Sequence, residues 1–168
     1  MGLDNIPHQY ACKTQGTAVL EPRTNKETGE ALIGEDGEPV FSINCEKTQE
    51  AGGCPYKNAF AKSGLEGGAV YGIFGTDCWY RGKWGNYLLE DIGIYDETEG
   101  ISFYGTLGDA SHKSPHECVV LADAISGFLD DEPDYKSPNM EASASDLFYA
   151  EWYLRWVAAE CGGLDCWY

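Results

Sequence analysis

The chain has 168 residues, 43% of them hydrophobic and 13% aromatic, and carries 11 basic against 28 acidic side chains for a net charge of -17. That apolar content is ample for a folded core at this length, which excludes wholesale disorder. The charge argues against direct nucleic-acid binding and against anionic membrane surfaces, because affinity for either rests on Lys and Arg neutralising phosphates.

The segment Met1–Tyr10 is polar, contains Pro7 and has no secretory apolar region. No apolar run approaches the roughly 18 residues that a membrane-crossing helix needs, so a cytoplasmic or virion-associated protein is expected. Thr17–Leu20 reads as a short strand, Arg23–Gly29 as a polar loop and Glu30–Gly34 as another short strand. Asp36-Gly37 is a hairpin signal leading into Val40–Asn44, which together predict a small β-meander. One short helical turn is expected around Tyr56–Ala61.

In the middle of the chain, Ala69–Gly75 and Gly100–Leu107 read as strands, and the spacing of Trp84, Tyr87, Leu88 and Ile92 predicts a short helix over 83–92 ending at Gly93. The last third is helical. Ser114-Pro115 followed by Glu117 is a helix start, with Ser114 as N-cap and Glu117 placed to complete a capping box, and Val119–Leu129 continues it. A second helix is predicted from about Ser145 to Glu160, capped by Ser143 or Ser145, favoured by Asp146 in its first turn and ended by Gly162-Gly163. Its buried stripe is Leu147, Ala150, Leu154, Val157 and Ala158, and Leu164–Tyr168 returns as a terminal strand. The expected architecture is a single α+β domain over residues 1–168. A small, mostly antiparallel sheet from the N-terminal and middle segments is packed by two C-terminal helices.

The acidity is uneven: residues 1–62 carry a net -3 and residues 63–168 a net -14. High-salt adaptation, where screening removes self-repulsion, and mimicry of a nucleic-acid backbone both account for such a surface. Eight of the eleven bases are Lys, which points to moderate salinity or a virus of a salt-loving host.

Seven cysteines occur, and the N-terminal four, Cys12, Cys45, Cys54 and Cys78, are a candidate metal set. Zinc takes four thiolate or imidazole ligands in a tetrahedron, and loops rich in Gly and Pro bring separated ligands together. His8 is a substitute ligand. No CxxC pair is present, however, and the reading of the same thiols as small buried hydrophobes comes before the metal site. Cys161 and Cys166 straddle the Gly162-Gly163 turn and are spaced for a disulfide in an oxidising compartment. His112, His116 and Cys118, with Asp109, form a second candidate cluster at the start of the first long helix.

The segment 72–86 concentrates Trp79, Tyr80 and Trp84 with Arg81 and Lys83 among glycines. Flat aromatic faces beside a few polar groups suit a partner surface, and Trp79, Tyr80, Arg81 and Trp84 are the candidate partner-binding residues. No catalytic motif of the GxSxG, HExxH, PCxxC or kinase type occurs. The function these features point to is a non-enzymatic protein-interaction or structural component that binds another protein or itself, with zinc as a candidate stabiliser. A metal- or thiol-dependent enzyme using Cys78 with His112 or His116, and an acidic DNA-mimic inhibitor, are the alternatives.

Overall fold

The first element of the computed structural model, which describes residues 4–65, 80–81, 88–95, 112–139 and 141–167, is strand β1 (Asp4–Pro7). The polar composition of this segment hides it, because its apolar content is two residues long. A single helical turn, α1 (Ala11–Thr14), follows and buries Ala11 and Cys12.

Strands β2 (Leu20–Pro22) and β3 (Phe41–Ile43) pair antiparallel as a two-stranded ribbon. Between them the chain makes two tight excursions rather than full strands. One is bridged at Thr24 and Ala31, the other at Ile33 and Pro39 around the Asp36-Gly37 turn. Gly37 has φ 82, which the turn requires and which glycine alone adopts freely, and Asp36 Oδ1 accepts from the Glu38 N–H at 3.1 Å. The predicted meander is therefore present as a ribbon with a looped tip, and Glu30–Gly34 contributes bridges where a strand was expected.

Helix α2 (Cys45–Glu50) anchors the base of this ribbon. The Asn44 side chain caps it by accepting from Lys47 N–H, and Asn44 N–H donates to Val19 O at 2.8 Å. Thr48, buried on α2, accepts from Val19 N–H at 2.9 Å and donates to Asn44 O at 2.7 Å. Thr48→Val keeps the volume and leaves the Val19 N–H without this acceptor, so a loss of about 1–3 kcal/mol is expected in a chemical denaturation measurement.

Helix α3 (Pro55–Ser63) starts with Pro at its first position and ends at Gly64 with φ 70. It extends the short turn expected around 56–61 at both ends. Strand β4 (Tyr80–Arg81), a helical stretch over residues 88–91 (α4) and strand β5 (His112–Lys113) come next. The close of the predicted 83–92 helix is seen at Gly93, whose φ is 73. The strands predicted over 69–75 and 100–107 lie outside the described residues.

Helix α5 (Pro115–Asp131) begins at Ser114 as its residues dictate. The Ser114 N–H donates to Glu117 Oε2 at 2.7 Å, and the Glu117 N–H donates back to the Ser114 hydroxyl at 3.3 Å. The Ser114 hydroxyl also donates to Glu117 Oε2 at 2.7 Å, and this bond together with that from the Ser114 N–H holds the Glu117 carboxyl below the usual carboxylate range. Buried Cys118, Leu121, Ala122, Ile125 and Leu129 recur at helical spacing and form its inner face. Helix α6 (Ala144–Glu160) starts at Ser143, whose N–H donates to the Asp146 carboxylate at 2.9 Å.

Burial on α6 extends well beyond the predicted stripe. Leu147, Ala150, Leu154 and Val157 are buried, and so are Tyr149, Tyr153 and Trp156. The reason is a second neighbour. Tyr56 and Phe60 of α3 meet Trp156 and Tyr149 edge to face, at ring separations of 5.3 and 5.8 Å. Tyr153 OH meanwhile donates to Asn5 O of β1 at 3.3 Å.

After the turn at Gly162-Gly163, strand β6 (Leu164–Trp167) enters a four-stranded sheet of order β4-β1-β6-β5, antiparallel throughout. The fold is α+β, with this small antiparallel sheet packed by the two long C-terminal helices, as the sequence predicts. Among the described residues no helix is long and apolar enough to cross a membrane.

Candidate functional site

Antiparallel register decides which side chains share a face of the sheet. On the central strand β6, Leu164 opposes Pro7 of β1 and Lys113 of β5, and all three are buried. Asp165 opposes Ile6 and His112, so these residues take the other face. His8, just past β1, continues the same alternation, and its N–H donates to Gly163 O at 3.0 Å.

Two imidazoles converge on one carboxylate as a result. His8 Nδ1 lies 3.0 Å from Asp165 Oδ1 and 3.1 Å from Oδ2, and His112 Nδ1 lies 2.9 Å from the same Oδ1. The rings are tilted at 52° with centroids 4.2 Å apart. Each imidazole side chain is 41% exposed and the Asp165 side chain 21%, so the cluster is half-open to solvent. With Nδ1 protonated on both rings, each donates a hydrogen bond to the carboxylate.

The turn before β6 makes this approach possible. A Cβ on Gly163 would lie 2.2 Å from Lys113 O and 3.2 Å from His112 Cε1, and Gly163 has φ 114. Only glycine lets β6 come this close to β5 and leaves room for the His112 ring.

The sequence-predicted ligands are distributed differently from this cluster. Cys12 is buried in α1, and burial, reinforced by the neighbouring Cys54, raises its pKa. Cys45 opens α2 and Cys54 precedes α3, both half-buried. Among the described residues Cys12, Cys45 and Cys54 do not gather into a group of three within ligating reach, whereas His8, His112 and Asp165 do. Cys78 and Asp109 lie outside the described residues.

His8, expected as a substitute for a cysteine ligand, instead faces Asp165. His112 likewise faces Asp165. His116 stays exposed on the first turn of α5, and Cys118 turns inward, its thiol 3.7 Å from Lys113 O. Cys161 is a free, buried thiol, so the anticipated Cys161–Cys166 bridge is not formed. Asp165 was missed altogether, since one carboxylate among 28 acids carries no local signal.

Of the candidate partner-binding residues, the backbone of Tyr80 and Arg81 forms β4 and pairs with Asn5 and Asp4. Trp79 and Trp84 lie outside the described residues.

A second surface is prominent. Cross-strand pairing of Leu20 with Ile43 and of Pro22 with Phe41 puts four apolar side chains on one face of the β2–β3 ribbon. Leu20 is 48% and Phe41 54% exposed, and no residue from 13 to 47 is buried. The opposite face is polar, where Glu21 holds Lys47 and Asn44.

The fold and site thus define a small acidic α+β domain with a projecting ribbon and a His-Asp-His cluster across its sheet. No protein-family model, curated protein or solved structure matches the chain.

Proposed function

We propose that this chain is a non-enzymatic protein-interaction component that engages another protein through the apolar face of the β2–β3 ribbon. The observation carrying this reading is the pairing that places Leu20, Pro22, Phe41 and Ile43 on one face, with Leu20 and Phe41 about half exposed. A ribbon that buries none of its own residues gains little stability from this face, whereas covering it with a partner gains roughly 25 cal/mol per Å² of apolar surface.

Charge selects the partner. Residues 18–44 carry six acids and two bases within a chain of net charge -17, so a second copy is repelled and a surface with an apolar pocket rimmed by Lys and Arg is favoured. Cys12, Cys54, Cys118 and Cys161 are free thiols, in keeping with a reducing cytoplasm. The segment carrying Trp79, Tyr80, Arg81 and Trp84 is a second candidate contact on the same partner.

The test is site-specific. A photo-crosslinker placed at position 41 should capture a protein whose purified form binds the full chain, with affinity that falls as salt rises. Phe41→Ser is expected to weaken that complex by more than about tenfold, as central aromatic anchors do, without altering the circular dichroism of the free chain. Unchanged affinity in a Leu20→Ser, Phe41→Ser double variant would refute the ribbon as the contact, and loss on Trp79→Ala alone would transfer the role to the segment around Trp79.

A further inference from the structure

We infer that His8, His112 and Asp165 form a binding site for a single divalent transition-metal ion, with zinc the best match, that ties strands β1, β5 and β6 together. The donor set is two imidazole nitrogens and one carboxylate oxygen, with one ligand atom from each residue lying within 4.8 Å of the others. Imidazole and carboxylate together suit zinc and its first-row neighbours, whereas calcium and magnesium favour oxygen alone.

The spacing fits an ion. With metal–ligand bonds of about 2.0–2.2 Å, adjacent ligand atoms stand about 2.8–3.6 Å apart as the angle between them opens from square to tetrahedral. The nitrogen–oxygen distances here are 2.9 and 3.0 Å to Asp165 Oδ1. The entering ion takes the place of the proton on each Nδ1, which is released to solvent from an imidazolium or moves to Nε2 in a neutral ring. Both side chains then bind as neutral imidazoles through Nδ1 atoms that already face the carboxylate. The half-open side of the cluster leaves the remaining coordination positions to water.

The scaffold holds these ligands on rigid elements. Asp165 sits on the central strand and His112 directly opposite it on β5, while His8 is fixed by the hydrogen bond from its N–H to Gly163 O. The Gly163 backbone, with no room for a side chain, keeps the His112 ring beside Asp165. An ion bound here cross-links three strands whose positions in the chain are far apart, and because it binds the folded sheet alone it raises stability with the logarithm of the free ion concentration above Kd.

Cobalt(II) is the probe, because its visible ligand-field absorption reports site geometry in a position where zinc is silent. Full-length protein stripped with a chelator should take up one equivalent of cobalt without sulfur-to-metal charge-transfer bands. Zinc should displace it and should raise the thermal unfolding midpoint. His8→Ala and His112→Ala should each weaken cobalt binding by more than about tenfold and abolish the zinc-induced rise in midpoint. His116→Ala and a Cys45→Ala, Cys54→Ala double variant should bind as the parent does. Because His8 lies past the end of β1 with its ring partly in solvent, His8→Ala should keep the parent circular dichroism even if His112→Ala does not. Absence of cobalt uptake by the parent, uptake unaltered by His8→Ala, or charge-transfer bands that vanish with the cysteines would each overturn the site.

Discussion

Gly163→Ala is expected to destabilise the protein by at least about 3 kcal/mol, the sum of a strained backbone and a collision that cannot relax. At φ 114 an L side chain is disfavoured before any neighbour is considered, and the added Cβ would stand 2.2 Å from Lys113 O. The backbone has nowhere to go. Gly163 O accepts from His8 N–H at 3.0 Å, and Gly163 N–H donates to Val157 O at 3.1 Å, so moving the residue breaks the junction between α6, β1 and β5. Gly162→Ala is the control. Its φ is 69, and the nearest atom to an added Cβ is His8 Cδ2 at 3.7 Å, so its penalty is the backbone part alone, about 1 kcal/mol. Urea unfolding of the two variants measures the difference. Equal losses would mean that β6 does not approach β5 as described.

The second large effect lies at alkaline pH. Burial pushes the thiols of Cys118 and Cys161 up to about 12, and burial, aided by the hydrogen bond to Asp91, does the same for the Tyr135 phenol. A group whose folded pKa is raised keeps the protonated form in the native state while the unfolded chain releases its proton. Its stabilising contribution is therefore complete below the unfolded value, about 8.5 for a thiol, and is lost as pH rises through about 12. Each thiol accounts for on the order of 4 kcal/mol across that window. Two of them are comparable to the total stability of an ordinary domain, so cooperative unfolding is expected before pH 12 is reached. Circular dichroism followed against pH checks this, and Cys161→Ala should flatten the descent. At neutral pH the same burial should leave Cys118 and Cys161 unreactive toward a thiol reagent under native conditions, while half-buried Cys45 and Cys54 are modified. A stability profile that stays level through the window, with all the thiols labelled natively, is incompatible with their placement.

Local rules made the C-terminal half readable. The Ser114 and Ser143 starts depend on hydrogen bonds between residues three apart, which sequence displays directly, and the apolar spacing that follows each start sets the buried face. The Asp36-Gly37 turn was equally visible, because its geometry is local. What stayed hidden depends on partners distant in the chain. The β1 strand is recognisable only once β6 lies beside it, and the burial of Tyr149, Tyr153 and Trp156 follows from α3 and β1, which no periodicity within α6 can show.

The candidate sites divide in the same way. His8 and His112 stood out as rare residues, but proximity in sequence assigned each to the wrong neighbours, Cys12 for one and His116 for the other. Strand register, a property of the folded sheet, gives both to Asp165. Cys12, Cys45 and Cys54 drew attention as thiols, yet although Cys54 lies near Cys12 the three do not gather within ligating reach of one another.

The order β4-β1-β6-β5 also bears on how the molecule is assembled. Strands β1 and β6 pair side by side although nearly the whole intervening chain separates them, so their contact carries a large loop-closure entropy and a high contact order. The pair α5 and α6, consecutive in the chain and packed against each other, is able to form first and offer a surface on which the strands dock. Sheet closure is then the late, slow event of folding. During synthesis β1 waits without its neighbour until β6 has left the ribosome, exposing an open edge throughout that interval. A strand as polar as Asp4–Pro7 tolerates this delay far better than an apolar one would, which gives its unassuming composition a role in avoiding misassembly.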